Sequence, residues 1–258
     1  MAERSGLDAV LADAWVEPSV LALRPDYRAV LLAVDGIVPG PSDATSEALL
    51  RAAETSAREA LADRPVDQLP HVAAWRDAYR GFGAKPQRTR NSLEALLRRT
   101  VSELPRVNRL TDLYNAVSVL HQVPLGGEDL ARYAGAPRLV RATGAEPFDT
   151  VAAGVEVTEH PDTGEVVWRD DAGVTCRRWN WRQGRRTVLT EATTTALFIL
   201  DALDPMTDEA LDAAVEDLLT HVIRLGPEVR WARRLITADS ATGSSGDHSA
   251  NSTVGEGN

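Results

Sequence analysis

The dominant spacing of apolar residues shifts midway along this chain, and that shift limits the folds open to it. Up to about residue 121 apolar residues recur mainly at helical spacing; from Arg138 they alternate, as they do on strands. Residues 43–63 predict one helix and His71–Arg80 a second, short one. Asn91 followed by Glu94 is a capping-box pattern, and Leu93, Leu96, Leu97, Val101 and Leu104 then form one apolar face before Pro105 stops the helix. A fourth helix is predicted over about 107–121, with Leu110, Leu113, Tyr114, Val117 and Leu120 inward. One strand precedes these helices: DYRAVLLAVDGIV, residues 26–38, runs apolar between Pro25 and Pro39. After Arg138 the segments RLVRAT, TVAAGVEVTEH, GEVVWRDD, GVTCRRWNW and TTALFILDAL predict strands. The turn sequences HPDTG and DDAG between them predict a meander, and a last helix covers about 207–224. The class is α+β, N-terminal helices packed on a mixed or antiparallel sheet. Residues 26–236 are expected to form the domain, 1–25 an N-terminal extension, and 237–258, ending in SATGSSGDHSANSTVGEGN, a disordered tail.

Charge is uneven. The net charge is −10, yet residues 76–109 hold nine basic residues against three acids, and 177–186 hold five arginines and no acid. The chain's one lysine, Lys85, lies in the first of these stretches, with Arg88 and Arg90 close by, just before the Asn91 helix start. A basic face on an acidic body suits a phosphate-bearing partner met locally, or arginines solvating a helix. No apolar leader follows the N-terminus and the longest apolar run is Ala29–Val34, so a cytoplasmic chain without membrane contact is expected. A single cysteine, Cys176, excludes an internal disulfide, and its strand flanks favour a core role over a nucleophilic one. The five histidines have no ligand spacing, so no metal is expected, and the lack of P-loop, GxGxxG and GxSxG patterns points to no cofactor.

The candidate site residues lie after residue 107. Asn108, Asp112 and Asn115 make a stripe of small polar side chains opposite the core face of their helix. An ordinary solvated face would carry Glu and Lys, so the stripe either caps loops or turns to a site. Gly126 and Gly127 in LGGEDL read as a turn whose backbone could approach a ligand. In CRRWNWRQGRRTVLTEATTTALFILDAL, residues 176–203, Trp179 and Trp181 alternate with Arg178, Asn180 and Arg182. The pattern fits rings that stack on a ligand while arginines meet phosphate, or a core tryptophan beside an arginine-coated edge.

Taken in order, FGAKPQRTRNSLEALLRR, LPRVNRLTDLYNAVSVLHQVPLGGEDL, GAPRLVRATGAEPFD and the 176–203 stretch resemble free-standing versions of the B3/B4 domain. That domain is the editing module in the beta chain of bacterial phenylalanyl-tRNA synthetase, an α+β sandwich that hydrolyses tyrosine wrongly esterified to phenylalanine tRNA. The resemblance runs from about Asp26 to Leu225. It implies tRNA or aminoacyl-tRNA as partner, with no DNA, and either a trans-acting hydrolase of mischarged tRNA or a non-catalytic module for tRNA or an amino-acid-like ligand. The class II catalytic motifs are absent, so ligase activity is not implied. By the same resemblance Asn115 and the Gly126 and Gly127 amides would orient the ester or a water. Glu146 or Asp201 would bind the substrate's ammonium or side chain, Arg178, Asn180 and Arg182 would line the mouth, and Lys85, Arg88 and Arg90 would grip phosphates. The chain departs from the family pattern at three places. Gly126 or Gly127 stands where the family carries a histidine, and Asp201 where it carries a glutamate. Trp179–Arg186 replaces a glycine-rich loop.

Overall fold

A computed structural model describes residues 6–242 and 253–256. The first half contains α1 (Gly6–Ala12), β1 (Trp15–Val16), α2 (Pro18–Leu23), β2 (Arg28–Asp35), α3 (Ala44–Ala60), α4 (Pro70–Gly81), α5 (Ser92–Arg99) and α6 (Arg109–Leu120). The strands β3 (Leu125–Asp129), β4 (Arg138–Arg141), β5 (Phe148–Ala152), β6 (Val155–Glu159), β7 (Val166–Arg169), β8 (Val174–Arg177), β9 (Arg182–Gln183) and β10 (Ala196–Ala202) follow. Then come α7 (Asp208–Val222), β11 (Arg230–Ile236), α8 (Ala238–Thr242) and β12 (Thr253–Glu256). The class is α+β, as expected.

Two five-stranded sheets and a hairpin carry the architecture. The central sheet has the order β12-β11-β2-β10-β3, and the second sheet β1-β4-β7-β8-β9. The central sheet is covered on both faces, which is why β2 and β10 are apolar without alternation. Val30, Leu32, Val34, Phe198 and Leu200 meet residues of α6 and α7 on one side. Ala29, Leu31, Ala33, Leu197 and Ile199 meet Leu139, Val166 and Trp168 of the second sheet and Trp75 and Tyr79 of α4 on the other. A third cluster joins α3, α4, α5 and α6 through Leu50, Val72, Leu93, Leu97 and Ala116. The second sheet is mixed, because β1 pairs in parallel with β4 while its other pairs are antiparallel.

Several local expectations change. The helix begun at Asn91 stops at Arg99, and Val101 is 87% exposed. Glu54 of α3 explains the early stop: it accepts from the Leu104 amide at 2.8 Å and from Arg106 Nη1 at 2.7 Å, which draws the chain off the helix axis. Asn91 caps the Glu94 amide, but Glu94 does not complete the box; its carboxylate is buried and accepts from Arg76 Nη1 at 2.8 Å. TVAAGVEVTEH is two strands, β5 and β6, around Ala153 and Gly154 at φ 51° and 82°, the positive pair that a two-residue hairpin turn needs. Only β7, β8 and β9 form a meander. LGGEDL is β3, paired with β10, and not a turn. The 1–25 segment contributes β1 to the second sheet, and Leu11, Val16, Val20 and Leu21 join the core between the sheets. Of the tail expected to be disordered, the described parts are α8 and β12, the latter paired with β11; residues 243–252 and 257–258 lie outside the described residues.

The basic stretches are mostly neutralised inside the chain. Arg76, Arg90 and Arg98 meet Glu94, Arg80 meets Asp77, Arg106 meets Glu47 and Glu54, and Arg109 meets Asp43. The second run pairs with acids of 156–170: Arg177 with Glu159 and Glu165, Arg178 with Asp162 and Glu165, Arg182 with Glu159, Arg185 with Glu156 and Arg186 with Asp170.

Helix α6 is buried on all sides, and its polar stripe divides into two uses. Asn108 caps the Thr111 amide. Asp112, fully buried, accepts from the Val107 amide at 2.9 Å and from Ser46 Oγ at 3.2 Å, locking α6 to the start of α3. Asp112→Ala removes both bonds, though Ser46 Oγ keeps the Asp43 carbonyl as acceptor, and is expected to cost about 1–2 kcal/mol. Urea unfolding checks this; a loss under about 0.5 kcal/mol, the range of a surface change, would show that the lock is not structural.

Candidate functional site

The strand β10 cannot carry a polar side chain at no cost, since all its residues are buried. Yet its sixth residue is Asp201, 2% exposed. Three elements supply its partners. Tyr27, just before β2, donates to Oδ1 at 2.6 Å; Asn180, after β8, donates to Oδ2 at 3.2 Å; Tyr79 of α4 donates to Asn180 Oδ1 at 2.9 Å. Burial pushes the Asp201 carboxyl up to about 7, against the lowering effect of the Tyr27 and Asn180 bonds.

A cavity of about 230 Å³ opens above this acid. Asn115, Gly126, Glu128, Asn180, Gln183 and Asp201 supply its polar surface, and Tyr114, Trp168, Trp179 and Trp181 its aromatic wall; Cys176 lies between them. Ser92 and Arg99, at the two ends of α5, and Arg182 complete the lining. The half-buried or exposed members Ser92, Trp181, Arg182 and Arg99 mark the opening.

Glu128 is the second buried acid here, 1% exposed. It lies on the same face of β3 as Gly126, and Tyr133 donates to its Oε2. Burial pushes it up to about 7, with Asp170 adding to the rise while the Tyr133 bond and Arg186 oppose it. The Glu128 charge adds to the rise of Asp201. Burial also pushes the Cys176 thiol up, so it packs as a neutral group and is no thiolate nucleophile.

Asn115 is 8% exposed and lines the cavity, yet its side chain has no hydrogen bond among the described residues. Its amide atoms are reachable from the cavity, open to a ligand. Ser92 Oγ at the opening is buried without a partner, and the Trp168 indole N–H in the wall acts on Asp201, opposing the rise of its carboxyl.

The chain leaves the strand path after β8 to build this wall. Arg178 and Trp179 adopt left-handed φ values of 47° and 68°, so the expected alternation of Trp179 and Trp181 along a strand does not occur. Trp179 turns inward, edge-on to Tyr27 at 4.9 Å and to Trp75 at 5.2 Å. Trp181 has Arg178 over its ring at 4.5 Å and Arg182 at 4.8 Å.

Of the residues singled out in the sequence, Asn115, Gly126, Asn180, Arg182 and Asp201 meet at this cavity. Gly127 does not: a side chain there would enter Leu189 at 2.8 Å and the Tyr114 ring at 2.9 Å, so it is a close-packing glycine on the other face of β3. Glu146 is elsewhere. Burial raises it, but bonds from the Thr143 and Gly144 amides outweigh burial and hold it below the usual range. Arg178 stands outside the lining and donates to Thr89 Oγ1 at 2.6 Å. Lys85, Arg88 and Arg90 are exposed on the connection from α4 to α5 and do not line the cavity. Glu128 and Tyr27 were missed. Reading LGGEDL as a strand would have placed Glu128 two residues from Gly126 on one face; Tyr27 gave no signal.

Two substitutions separate the glycines. Gly127→Ala overpacks the Tyr114 ring, at about 1–3 kcal/mol or several degrees of Tm. Gly126→Ala meets only the tip of Gln183 at 3.1 Å, which can move, and costs less. Thermal scans that rank the pair the other way would contradict this geometry.

The acids also set a pH window. Their folded values of about 7 stand above the ordinary 4 of an unfolded chain, so their stabilising effect is complete below pH 4 and is lost as pH rises through 7. Stability is expected to fall between pH 5 and 7.5, by up to about 1.4 kcal/mol per pH unit per group, and Asp201→Asn with Glu128→Gln should flatten the decline. A flat wild-type profile in that window would contradict the raised values.

A model of the B3/4 domain matches residues 74–216. That span includes every polar residue lining the cavity and excludes Tyr27. No curated protein matches the sequence at a significant level. Among solved structures, an N-terminal fragment of the phenylalanyl-tRNA synthetase beta subunit from Pyrococcus horikoshii superposes with TM-score 0.45 and 11% identity, over 84% of this chain and 50% of that chain. The chain thus spans about half the length of that solved fragment.

Proposed function

The chain belongs to the B3/4 domain family, and from that premise we propose that its cavity receives the aminoacyl end of a tRNA and hydrolyses the ester. The observation that carries this reading is the unpartnered side-chain amide of Asn115, lining the same cavity as two buried carboxyls that have no ion-pair partner among the described residues. Asp201 takes the substrate's α-ammonium, a charge that its buried carboxylate lacks. Asn115 orients the ester carbonyl and the attacking water. The water oxygen bonds to the carbonyl carbon, the bond to the ribose oxygen breaks, and the water's proton ends on that departing oxygen. An activated ester needs little more than this placement and a donor for its oxyanion.

Outside the cavity, the α4–α5 connection supports tRNA contact. Its exposed Lys85 and Arg88, and Arg99 at the cavity opening, have no carboxylate partner among the described residues, whereas the other cations of 76–109 do. Thr89 of the same connection is tied to Arg178 beside Trp181. Arg99 thus stands at the entrance where the tRNA end would pass, and Lys85 and Arg88 lie on the connection that the Thr89 bond ties to its side.

Deacylation of a panel of mischarged aminoacyl-tRNAs is the test. Wild type is expected to release at least one aminoacyl group, and Asn115→Ala to lower that rate by about 10-fold or more with Tm nearly unchanged, the loss of a hydrogen bond of roughly 1–3 kcal/mol made to substrate alone. No turnover across the panel would sink the hydrolase and leave a non-catalytic ligand module.

A further inference from the structure

Glu128 breaks a pattern that the other buried glutamates keep. The other buried glutamates all have an arginine: Glu54 has Arg106, Glu94 has Arg76, Glu146 has Arg169 and Glu165 has Arg177. The chain has 27 arginines to draw on, since its 28 basic residues include one lysine. Yet among the described residues neither Glu128 nor Asp201 has an ion-pair partner, and both lie in one cavity. Keeping two carboxyls ionised in one cavity without a counter-charge is costly; protonation relieves that cost in the free protein, and a bound cation would relieve it with both acids charged.

The surroundings suit an organic cation. Four aromatic rings, of Tyr114, Trp168, Trp179 and Trp181, line the same space, and ring faces attract ammonium groups. Gly126 leaves the floor open between the strand that carries Glu128 and the strand that carries Asp201; a side chain there would press on Gln183. Arginines stand only at the opening, where Arg99 and Arg182 would meet an anionic portion of the same ligand. The cavity is thus polarised, acids inside and cations at the mouth.

We propose that the acyl group taken by this cavity is that of an amino acid with a cationic side chain, whose ammonium is held by Glu128 and the aromatic wall while Asp201 holds the α-ammonium. This assignment of substrate class rests on the aminoacyl reading above. It makes Glu128 the specificity-determining residue, and it gives a use to both carboxyls.

L-lysinamide and L-norleucinamide carry the same α-amine and the same four-carbon side chain and differ in the terminal ammonium. Isothermal titration of wild type with each, at pH 8, is expected to show lysinamide bound at least about 10-fold more tightly, the worth of one charge-assisted hydrogen bond. In Glu128→Gln the preference should vanish while norleucinamide still binds, which also reports that the variant folds. Equal affinities in wild type, a preference for norleucinamide, or no measurable binding of lysinamide would overturn the assignment. Selective lysinamide binding without turnover of any aminoacyl-tRNA would uphold it and sink the hydrolase reading. Turnover confined to neutral aminoacyl esters would do the reverse.

Discussion

Strand β10 has a neighbour on each edge and packed residues on each face, and one carboxyl lies within it. Everything around Asp201 follows from that burial. A carboxylate removed from water needs donors, and they come from far along the chain: Tyr27 from before β2, Asn180 from the turn after β8, and Tyr79 of α4 behind Asn180. The same bonds tie the central sheet to the turn that carries Trp179 and Trp181. The cavity therefore sits where the two sheets and the helical cluster meet, and its floor is as fixed as the core beneath it.

The arginines explain the electrostatic contrast between floor and surface. Net charge alone suggested a basic patch in the middle of an acidic chain. In the fold, acids of 156–170 close against the arginines of 177–186, and Glu94, Glu47 and Glu54 close against those of 76–109. Among the described residues, what remains cationic and without a carboxylate in these stretches is Lys85, Arg88 and Arg99, and the two acids of the cavity, Glu128 and Asp201, have no cation beside them. The pairing elsewhere is what makes these exceptions informative, since a buried charge without a partner is far more costly than an exposed one.

How much was legible in the sequence depended on whether a signal was local. The helices, β2, β10 and the α+β class were readable from period and punctuation. So was the separation of Asn115 from the core face of α6, although Asp112 of the same stripe proved to be a structural lock. Gly126 and Gly127 were misassigned because a glycine pair is read as a turn, while here one glycine clears space for Tyr114 and Leu189 and the other opens the cavity. Glu128 was hidden by the same error, and Tyr27 by distance along the chain. The alternation of Trp179 with Trp181 failed because two left-handed residues, which no local pattern marks, turn the chain out of the strand.

The claim on which the site depends is that Asp201 and Glu128 are buried carboxyls held protonated to near neutrality and awaiting a positive charge. Carbon-13 NMR titration of their side-chain carboxyls, assigned by comparison with Asp201→Asn and Glu128→Gln, measures this directly. Midpoints near 7 are expected in the free protein. Midpoints near the ordinary value of about 4 would show two solvated acids and contradict the site as described.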